Sequence, residues 1–208
     1  MILSRDGVRR TVGHVALIAG ASLLVCAASI TVRGWIWQGR HAGRFASAAE
    51  PVAAAARAIG DAPAPRPPRR GEALALLRAP RLGIETVVVE GTDSRSLSLG
   101  PGHLEGSALP GAPDNCVIAG HRDGPFGRLR AARAGDLLEL AGQAGAVARY
   151  RVQSVEVVGE DDTRALAPSR DSRLTLVTCY PFHVLGHARR RFVVRAALLD
   201  DRGAQGLL

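Results

Sequence analysis

The pattern of apolar and polar residues divides the chain into two unequal parts. Residues 12–32 form an apolar run that contains no charged side chain and only four polar interruptions. About 20 residues at a rise of 1.5 Å per residue give a helix of about 30 Å, which matches the hydrocarbon core of a bilayer. The first part of the chain therefore predicts one helix that is long enough to cross a membrane.

The second part of the chain, from residue 71 onward, consists of short β-prone stretches separated by Gly, Pro, Asp and Ser. Many short strands with frequent turn residues are typical of an all-β barrel or sandwich. A helical turn is predicted over residues 126–134, and a long polar loop over residues 160–172. The strands are predicted near residues 74–79, 84–90, 102–105, 116–121, 136–141, 146–158, 173–179 and 190–199.

The apolar run is either an uncleaved anchor or a signal peptide. It is longer than a usual signal-peptide core, and Trp35 and Trp37 follow it as interfacial aromatic residues follow a membrane span. We therefore predict an anchor, with cleavage after Ala28 as the alternative. Three arginines lie on each side of the run, so charge alone does not set its orientation.

A linker follows the apolar run. Its alanine-rich first part is compatible with a helix, but the four prolines of residues 61–70 are not. A proline-rich stretch of about ten residues spans about 30 Å when extended, so we predict that the linker is a spacer and carries no site. The predicted organisation is a basic N-terminus, an anchor, the linker, a folded domain and a short tail, at residues 1–11, 12–32, 33–70, 71–200 and 201–208.

The net charge of +8 is concentrated in the N-terminal arm. Residues 1–70 hold ten arginines and three acidic residues, whereas residues 71–208 hold 17 arginines and 16 acidic residues. A nucleic-acid-binding domain would carry its positive charge on the folded part, so no nucleic-acid partner is expected, and the arm suits anionic lipid headgroups. The chain contains no lysine, which excludes mechanisms that need a lysine base or Schiff base.

Candidate chemistry lies at the ends of three predicted strands. One apolar run ends at Cys179, and the next one along the chain begins directly after Arg191. A third run, earlier in the chain, ends at His121. A thiol is nucleophilic as its thiolate, which a nearby cation stabilises, and a histidine can act as its acid–base partner. These residues form a candidate site for nucleophilic catalysis.

Three motifs resemble the sortases, which are membrane-anchored cysteine transpeptidases of bacterial surfaces. They are AGHR at residues 119–122, TLVTC at residues 175–179 and RFVVR at residues 191–195. Two further segments, GPGH at residues 100–103 and LPG at residues 109–111, are similar to sortases of the class D and Gram-negative kind.

The resemblance implies an eight-stranded β-barrel with short helices in its loops, preceded by a transmembrane helix whose N-terminus is cytoplasmic. The folded domain is then an extracytoplasmic catalytic domain, with His121, Cys179 and Arg191 as the catalytic residues. Arg189 stands where many of these sequences have proline, and Arg190 is the alternative to Arg191.

The resemblance also implies the reaction. Cys179 attacks a peptide carbonyl, His121 protonates the departing amine, and Arg191 stabilises the oxyanion. In the family the donor is a secreted protein with a C-terminal LPxTG-like sorting signal, and the acceptor is an amine from the envelope or a pilus. No cofactor or metal is expected. The alternatives are a cysteine peptidase that hydrolyses the thioester and an inactive, membrane-tethered β-barrel that binds an envelope partner.

Two further side chains carry predictions of their own. On a strand that leads to His121, Cys116 points to the opposite face, so we predict a buried, inert thiol. His103 lies in a glycine–proline turn, where we expect an exposed side chain.

A metal site is the alternative function for the nucleophile. Cys179, His183 and His187 are spaced by four residues, as metal ligands on one helix face would be. Pro181 and Gly186 disfavour a helix there, so the spacing does not predict a zinc site.

Overall fold

The structure, a computed structural model, describes residues 5–45, 50–51, 66–142, 146–184 and 186–199. A long N-terminal helix precedes a β-sheet domain. The helices are α1 (Arg5–Ala42) and α2 (Ser94–Leu97), and 3₁₀ turns occur at Gly43–Phe45, Pro80–Leu82, Pro125–Ala131 and Thr163–Leu166. The strands are β1 (Glu50–Pro51), β2 (Ala73–Ala79), β3 (Ile84–Glu90), β4 (Gly102–His103), β5 (Asn115–Gly120), β6 (Leu137–Gly142), β7 (Ala146–Gly159), β8 (Arg173–Tyr180) and β9 (Arg190–Leu198).

Strands β2 to β9 form one sheet that closes on itself. The strand order is β7-β6-β2-β3-β4-β5-β8-β9, and β9 also pairs with β7, which joins the two ends of the sheet. Within this barrel the β3–β4 and β5–β8 pairs are parallel, and the other pairs are antiparallel. The predicted eight-stranded barrel is therefore confirmed, with β1 as a two-residue parallel addition beside β7.

The barrel interior is mainly aliphatic, as the composition of the chain indicates. Alternate side chains of each strand point inward, and the buried ones include Leu77, Ile118, Leu140 and Leu176. Tyr150 is also buried, and its hydroxyl accepts a hydrogen bond of 2.8 Å from the backbone N–H of Gly111. This bond satisfies the one polar group of the ring, which burial would otherwise leave unpaired.

Cys116 lies inside the barrel near the start of β5. Its side chain is buried, and burial raises the pKa of the thiol to about 12, with a smaller contribution from the charge of Glu90. His121, directly after the other end of the strand, is exposed. The prediction of a buried thiol that faces away from His121 is confirmed.

The prediction that His103 is exposed is wrong. Its side chain is only 2% exposed, and its Nδ1 atom lies 2.8 Å from the Glu90 carboxylate. Its Nε2 atom lies 3.0 Å from the Ser107 hydroxyl, which itself donates to the Leu104 carbonyl oxygen. The turn ends at Gly102, where β4 enters the sheet between β3 and β5, so the histidine is already enclosed by paired strands.

Helix α1 extends past the apolar run, and its C-terminal end packs on the barrel. An 18-residue window within the segment Val12–Phe45 has a mean hydropathy of 2.3, so by length and composition this segment can cross a membrane. Phe45 is fully buried in a second apolar cluster, which is built from β2, β3, β6 and β7. The expectation that the whole linker of residues 33–70 is a spacer therefore fails for residues 34–45, because side chains at that end of α1 complete the barrel surface.

Truncating Phe45 to alanine is expected to destabilise the barrel by about 3 kcal/mol, since a buried phenylalanine is lost together with the cavity that remains. Denaturant unfolding of the full-length protein in detergent, followed by the circular dichroism of the β-sheet, measures this change. Trp35→Ala is the matched control, because that aromatic side chain is 79% exposed. Equal midpoints for the two variants would show that Phe45 does not support the barrel.

Candidate active site

Three adjacent strands carry the predicted site residues at one end of the barrel. Because β5 and β8 are parallel and in register up to the pair Gly120 and Thr178, the next residues, His121 and Cys179, emerge side by side. Strand β9 runs the opposite way beside β8, and its residue Arg191 pairs directly with Cys179. The strand register thus brings the three side chains together, although they are distant in sequence.

A pocket of about 610 Å³ opens at this end of the barrel. Its walls include His121, Cys179 and Arg191, and the loop between β8 and β9 supplies much of the remainder. Cys179 is half-buried, whereas His121 is exposed. The thiol therefore lines a pocket that is open to solvent.

The glycine before the histidine is required by the packing below the pocket. A methyl group built on Gly120 would lie 2.7 Å from the ring of Phe126, which is fully buried under the end of β5. Such a contact is too close for any Cβ atom. The GH pair of the AGHR motif thus lets β5 end over an aromatic ring while the next side chain turns out into the pocket.

Arg191 is held by its own loop and by one carboxylate. Its Nη1 atom donates to the carbonyl oxygens of Ala188, at 2.6 Å, and Arg190, at 3.1 Å. Its Nη2 atom lies 3.4 Å from a carboxylate oxygen of Glu160, which also lies 3.1 Å from His187 Nε2. No local sequence pattern points to Glu160, because its place beside Arg191 results from the pairing of β7 with β9.

The alternative arginine, Arg190, faces away from the thiol. It pairs with Tyr180 rather than with Cys179, and its side chain is exposed. Since successive residues of a strand point to opposite faces, only one of the two arginines can reach the pocket. The register selects Arg191.

Arg122, which follows the histidine, ties the loop between β8 and β9 to the end of β5. Its Nη1 atom donates to the carbonyl oxygen of Pro181 at 2.9 Å, and its Nη2 atom donates to that of Gly186 at 2.7 Å. Two bonds from one planar guanidinium fix both the position and the orientation of the loop. Arg122 therefore shapes the pocket wall, a role that its position in the AGHR motif did not reveal.

The helical metal site considered from the spacing of Cys179, His183 and His187 does not form. The residues after the nucleophile make a turn rather than a helix. Among the described residues, no group of three or more His, Cys, Asp and Glu side chains is arranged to hold a metal ion.

A β-barrel with a thiol, an imidazole and a guanidinium at three adjacent strand ends has the groups that cysteine-dependent acyl transfer needs. The family model of the sortase domain matches residues 77–199, which is more than half of the chain. The chain therefore belongs to the sortase family.

One relative is Sortase D of Bacillus subtilis (strain 168), which is 34% identical over 128 residues. The match covers 61% of this chain, and the chain spans 64% of the length of that relative.

Solved structures share the barrel. A Clostridium perfringens Sortase D5 transpeptidase superposes with a TM-score of 0.63 at 22% identity, covering 83% of this chain and 99% of the other. Clostridium perfringens sortase C with the C-terminal cell wall sorting motif gives a TM-score of 0.58 at 28% identity, covering 64% of this chain and 73% of the other. The fold predicted from the sequence motifs is thus the fold of the family.

Proposed function

We propose that the protein is a membrane-anchored cysteine transpeptidase that cleaves a C-terminal LPxTG-like sorting signal and transfers the acyl group to an amine. The observation that carries the proposal is the meeting of His121, Cys179 and Arg191 at one pocket in a member of the sortase family. The sorting motif bound to Clostridium perfringens sortase C supports this class of donor.

The proposed first half-reaction forms a thioester. The Cys179 thiolate attacks the scissile carbonyl carbon, and the negative charge that develops on the carbonyl oxygen is stabilised by the Arg191 guanidinium. As the tetrahedral intermediate collapses, the C–N bond breaks and His121 gives its proton to the departing amine. The acyl group is then bound to Cys179 and the C-terminal fragment leaves.

The proposed second half-reaction reverses these roles. An acceptor amine attacks the thioester carbonyl, His121 removes the proton of that amine, and Cys179 leaves as a thiolate. Arg191 again faces the oxyanion. Its Nη2 atom is the available donor, because its contact with Glu160 is long, at 3.4 Å, whereas Nη1 is held by two carbonyl oxygens.

The cellular location of the protein is inferred from the apolar helix α1. An 18-residue window of this helix has a mean hydropathy of 2.3 and is wholly unburied. We infer that α1 is a single-pass anchor with a cytoplasmic N-terminus and that the barrel lies outside the cell membrane. The donor would then be a secreted protein, and the acceptor an amine of envelope or pilus origin.

Intact-mass spectrometry of the full-length protein tests this function. The protein in detergent is incubated with a panel of LPxTG-like peptides, with and without triglycine as the amine. A thioester adduct on Cys179 that converts to an amine-linked product supports the transpeptidase. An adduct that yields only free acid indicates a peptidase, an outcome that the exposed position of His121 makes worth testing. No adduct, together with a Cys179 that does not react with a thiol electrophile, indicates a binding module.

Removing the carboxylate beside the arginine is expected to slow turnover. In Glu160→Ala the Nη2 end of Arg191 loses its partner, so we expect kcat to fall by about tenfold with little change in KM, since this contact acts on the oxyanion step. Glu160→Gln retains an oxygen acceptor and should lose less. Steady-state kinetics with a cleavable peptide measure both variants.

Glu139→Ala is the control for this experiment. Glu139 forms an ion pair of similar, partial burial with Arg149 on β6 and β7, and neither residue lines the pocket. The kcat of this variant should match that of the wild type. Similar losses in the Glu139 and Glu160 variants would mean that Glu160 acts only through stability.

A further inference from the structure

The C-terminal part of α1 has two different faces. One face, with Gly34, Gln38 and Ala42, lies against the barrel, and Phe45 continues that contact beyond the helix. The opposite face is exposed and holds Arg33, Ile36 and Arg40, and Trp35, beside the docking face, is 79% exposed. Residues that recur every three or four positions share one side of a helix. Gly34, Gln38 and Ala42 are spaced by four, so they form one docking face on α1.

Gln38 binds the barrel as a neighbouring strand would. Its Oε1 atom accepts a 2.7 Å bond from the backbone N–H of Val87, and its Nε2 atom donates to the carbonyl oxygen of the same residue at 2.9 Å. The Nε2 atom also donates to the Leu99 carbonyl oxygen at 2.9 Å. Val87 lies on β3 at a level where β4 has not yet begun, so the amide satisfies a backbone edge that would otherwise be unpaired.

Two glycines allow this close approach. A methyl group on Gly34 would lie 2.7 Å from the Ser98 carbonyl oxygen, and one on Gly100 would lie 2.9 Å from the Val87 carbonyl oxygen. Gly39, by contrast, has open space around it. The backbone of α1 therefore approaches the backbone of the barrel closely at Gly34. It has no such contact at Gly39, on another side of the helix.

Val87, where Gln38 binds, lies at the same level across the strands of the sheet as the candidate site. If the β3–β4 and β4–β5 registers are each extended by two residues beyond their last pairs, Val87 lies beside Gly100, and Gly100 lies opposite His121. The close contact of Gly100 with the Val87 carbonyl oxygen agrees with the first of these extensions. Cys179 and Arg191 follow on the next two strands. Adjacent strands are about 4.8 Å apart, so about 10 Å along the sheet separates Val87 from His121.

The same contact lies close to the end of the apolar run. Gln38 follows Val32 by six residues, which is about 9 Å along a helix. Contact with the barrel begins still earlier, at Gly34. If the run spans the bilayer, the barrel rests at the level of the lipid headgroups instead of at the end of a long tether.

We propose that the barrel docks on its own membrane anchor through Gly34, Gln38 and Phe45, and that this docking holds the pocket of Cys179 at the bilayer surface. The proposal rests on the proposed anchoring by α1. The exposed side chains of the docked segment suit that location, because the arginines can bind anionic headgroups and Trp35 and Ile36 can enter the interface. The pocket then acts on peptides and amines that are themselves close to the membrane.

Energy transfer between the pocket and the lipid headgroups tests the docking. Full-length Cys26→Ser protein is labelled at Cys179 with a maleimide donor, since Cys116 is buried, and is placed in phosphatidylcholine–phosphatidylglycerol vesicles that carry a headgroup-linked acceptor dye. Gly34→Ala and Gln38→Ala are compared with Gly39→Ala. The two glycine variants make the same chemical change on one helix, but only the first meets the barrel.

Labelled protein with the unchanged α1 sequence at residues 34–39 is expected to give strong energy transfer. Gly39→Ala should retain this transfer. Gly34→Ala and Gln38→Ala should lower the transfer efficiency by about twofold, because a barrel released from α1 is free to move away from the headgroups. Turnover of a soluble peptide by the unlabelled variants should stay at the wild-type level, which shows that the barrel is folded. Equal transfer in all of these proteins would overturn the docking.

Flotation of the same vesicles separates the two proposals. Protein that floats with the vesicles but shows transfer independent of Gly34 and Gln38 refutes the docking alone. Protein that does not float refutes the anchoring on which the docking depends.

Discussion

Replacing Cys179 by alanine is expected to abolish turnover, with a fall in kcat of at least about 10⁴-fold, because the methyl group cannot form the covalent intermediate. No other described group can take its place. The second thiol of the barrel, Cys116, is buried, and its pKa is raised to about 12. Peptide cleavage and intact-mass spectrometry of the variant measure both the rate and the missing adduct.

Cys116→Ala is the control for this prediction. It removes a thiol of the same barrel that lies on β5, outside the pocket, so the variant should form the thioester as the wild type does. Cleavage that persists in Cys179→Ala would show that another group is the nucleophile and would contradict the proposed mechanism. Loss of activity in Cys116→Ala with an unchanged unfolding midpoint would also contradict the assignment.

Replacing Arg191 by lysine is expected to lower kcat by about 100-fold, although the charge is conserved. The guanidinium uses Nη1 to bind the carbonyl oxygens of Ala188 and Arg190 while Nη2 points to the Glu160 side. An ammonium group cannot hold the loop with one nitrogen and present a second donor to the oxyanion. Single-turnover kinetics of thioester formation measure the step directly.

Arg190→Lys is the matched variant, since the neighbouring arginine is exposed and pairs with Tyr180. We expect it to keep wild-type kinetics within about twofold, as a surface substitution away from the reacting atoms should. A larger loss in Arg190→Lys than in Arg191→Lys would assign the oxyanion to the other arginine.

The strands could be predicted from the sequence because their signals are local. Alternating Val, Leu and Thr residues that end at Gly, Pro or Asp define each segment without reference to its neighbours. Three of the predicted strands agree with observed strands to within one residue at each end, namely those at residues 84–90, 146–158 and 173–179. The predicted turn near residue 126 is likewise a 3₁₀ turn.

What the sequence did not reveal depends on contacts between distant segments. His103 is enclosed because β4 lies between two strands, and Glu160 meets Arg191 because β7 returns beside β9. The docking of Gln38 on Val87 joins positions that are 49 residues apart. None of these partners has a periodic or compositional signature, so local patterns could not locate them.

The candidate site contains features that local sequence predicts and features that depend on strand pairing. The strand ends that carry His121 and Cys179 were located from local patterns and from the family resemblance, and the structure brings them together. The choice between Arg190 and Arg191 required the β8–β9 register, since a shift of one residue exchanges the faces of a strand.

The parallel pairing of β5 and β8 also determines how the barrel responds to oxidants. Cys116 pairs with Leu174, five residues before Cys179, so the two thiols are about 16 Å apart along the strands. Disulfide formation requires Cα atoms within about 7 Å. Oxidants cannot therefore inactivate the nucleophile by closing an internal bridge within the barrel, and any loss of its thiol has to come from a reagent or partner that enters the pocket.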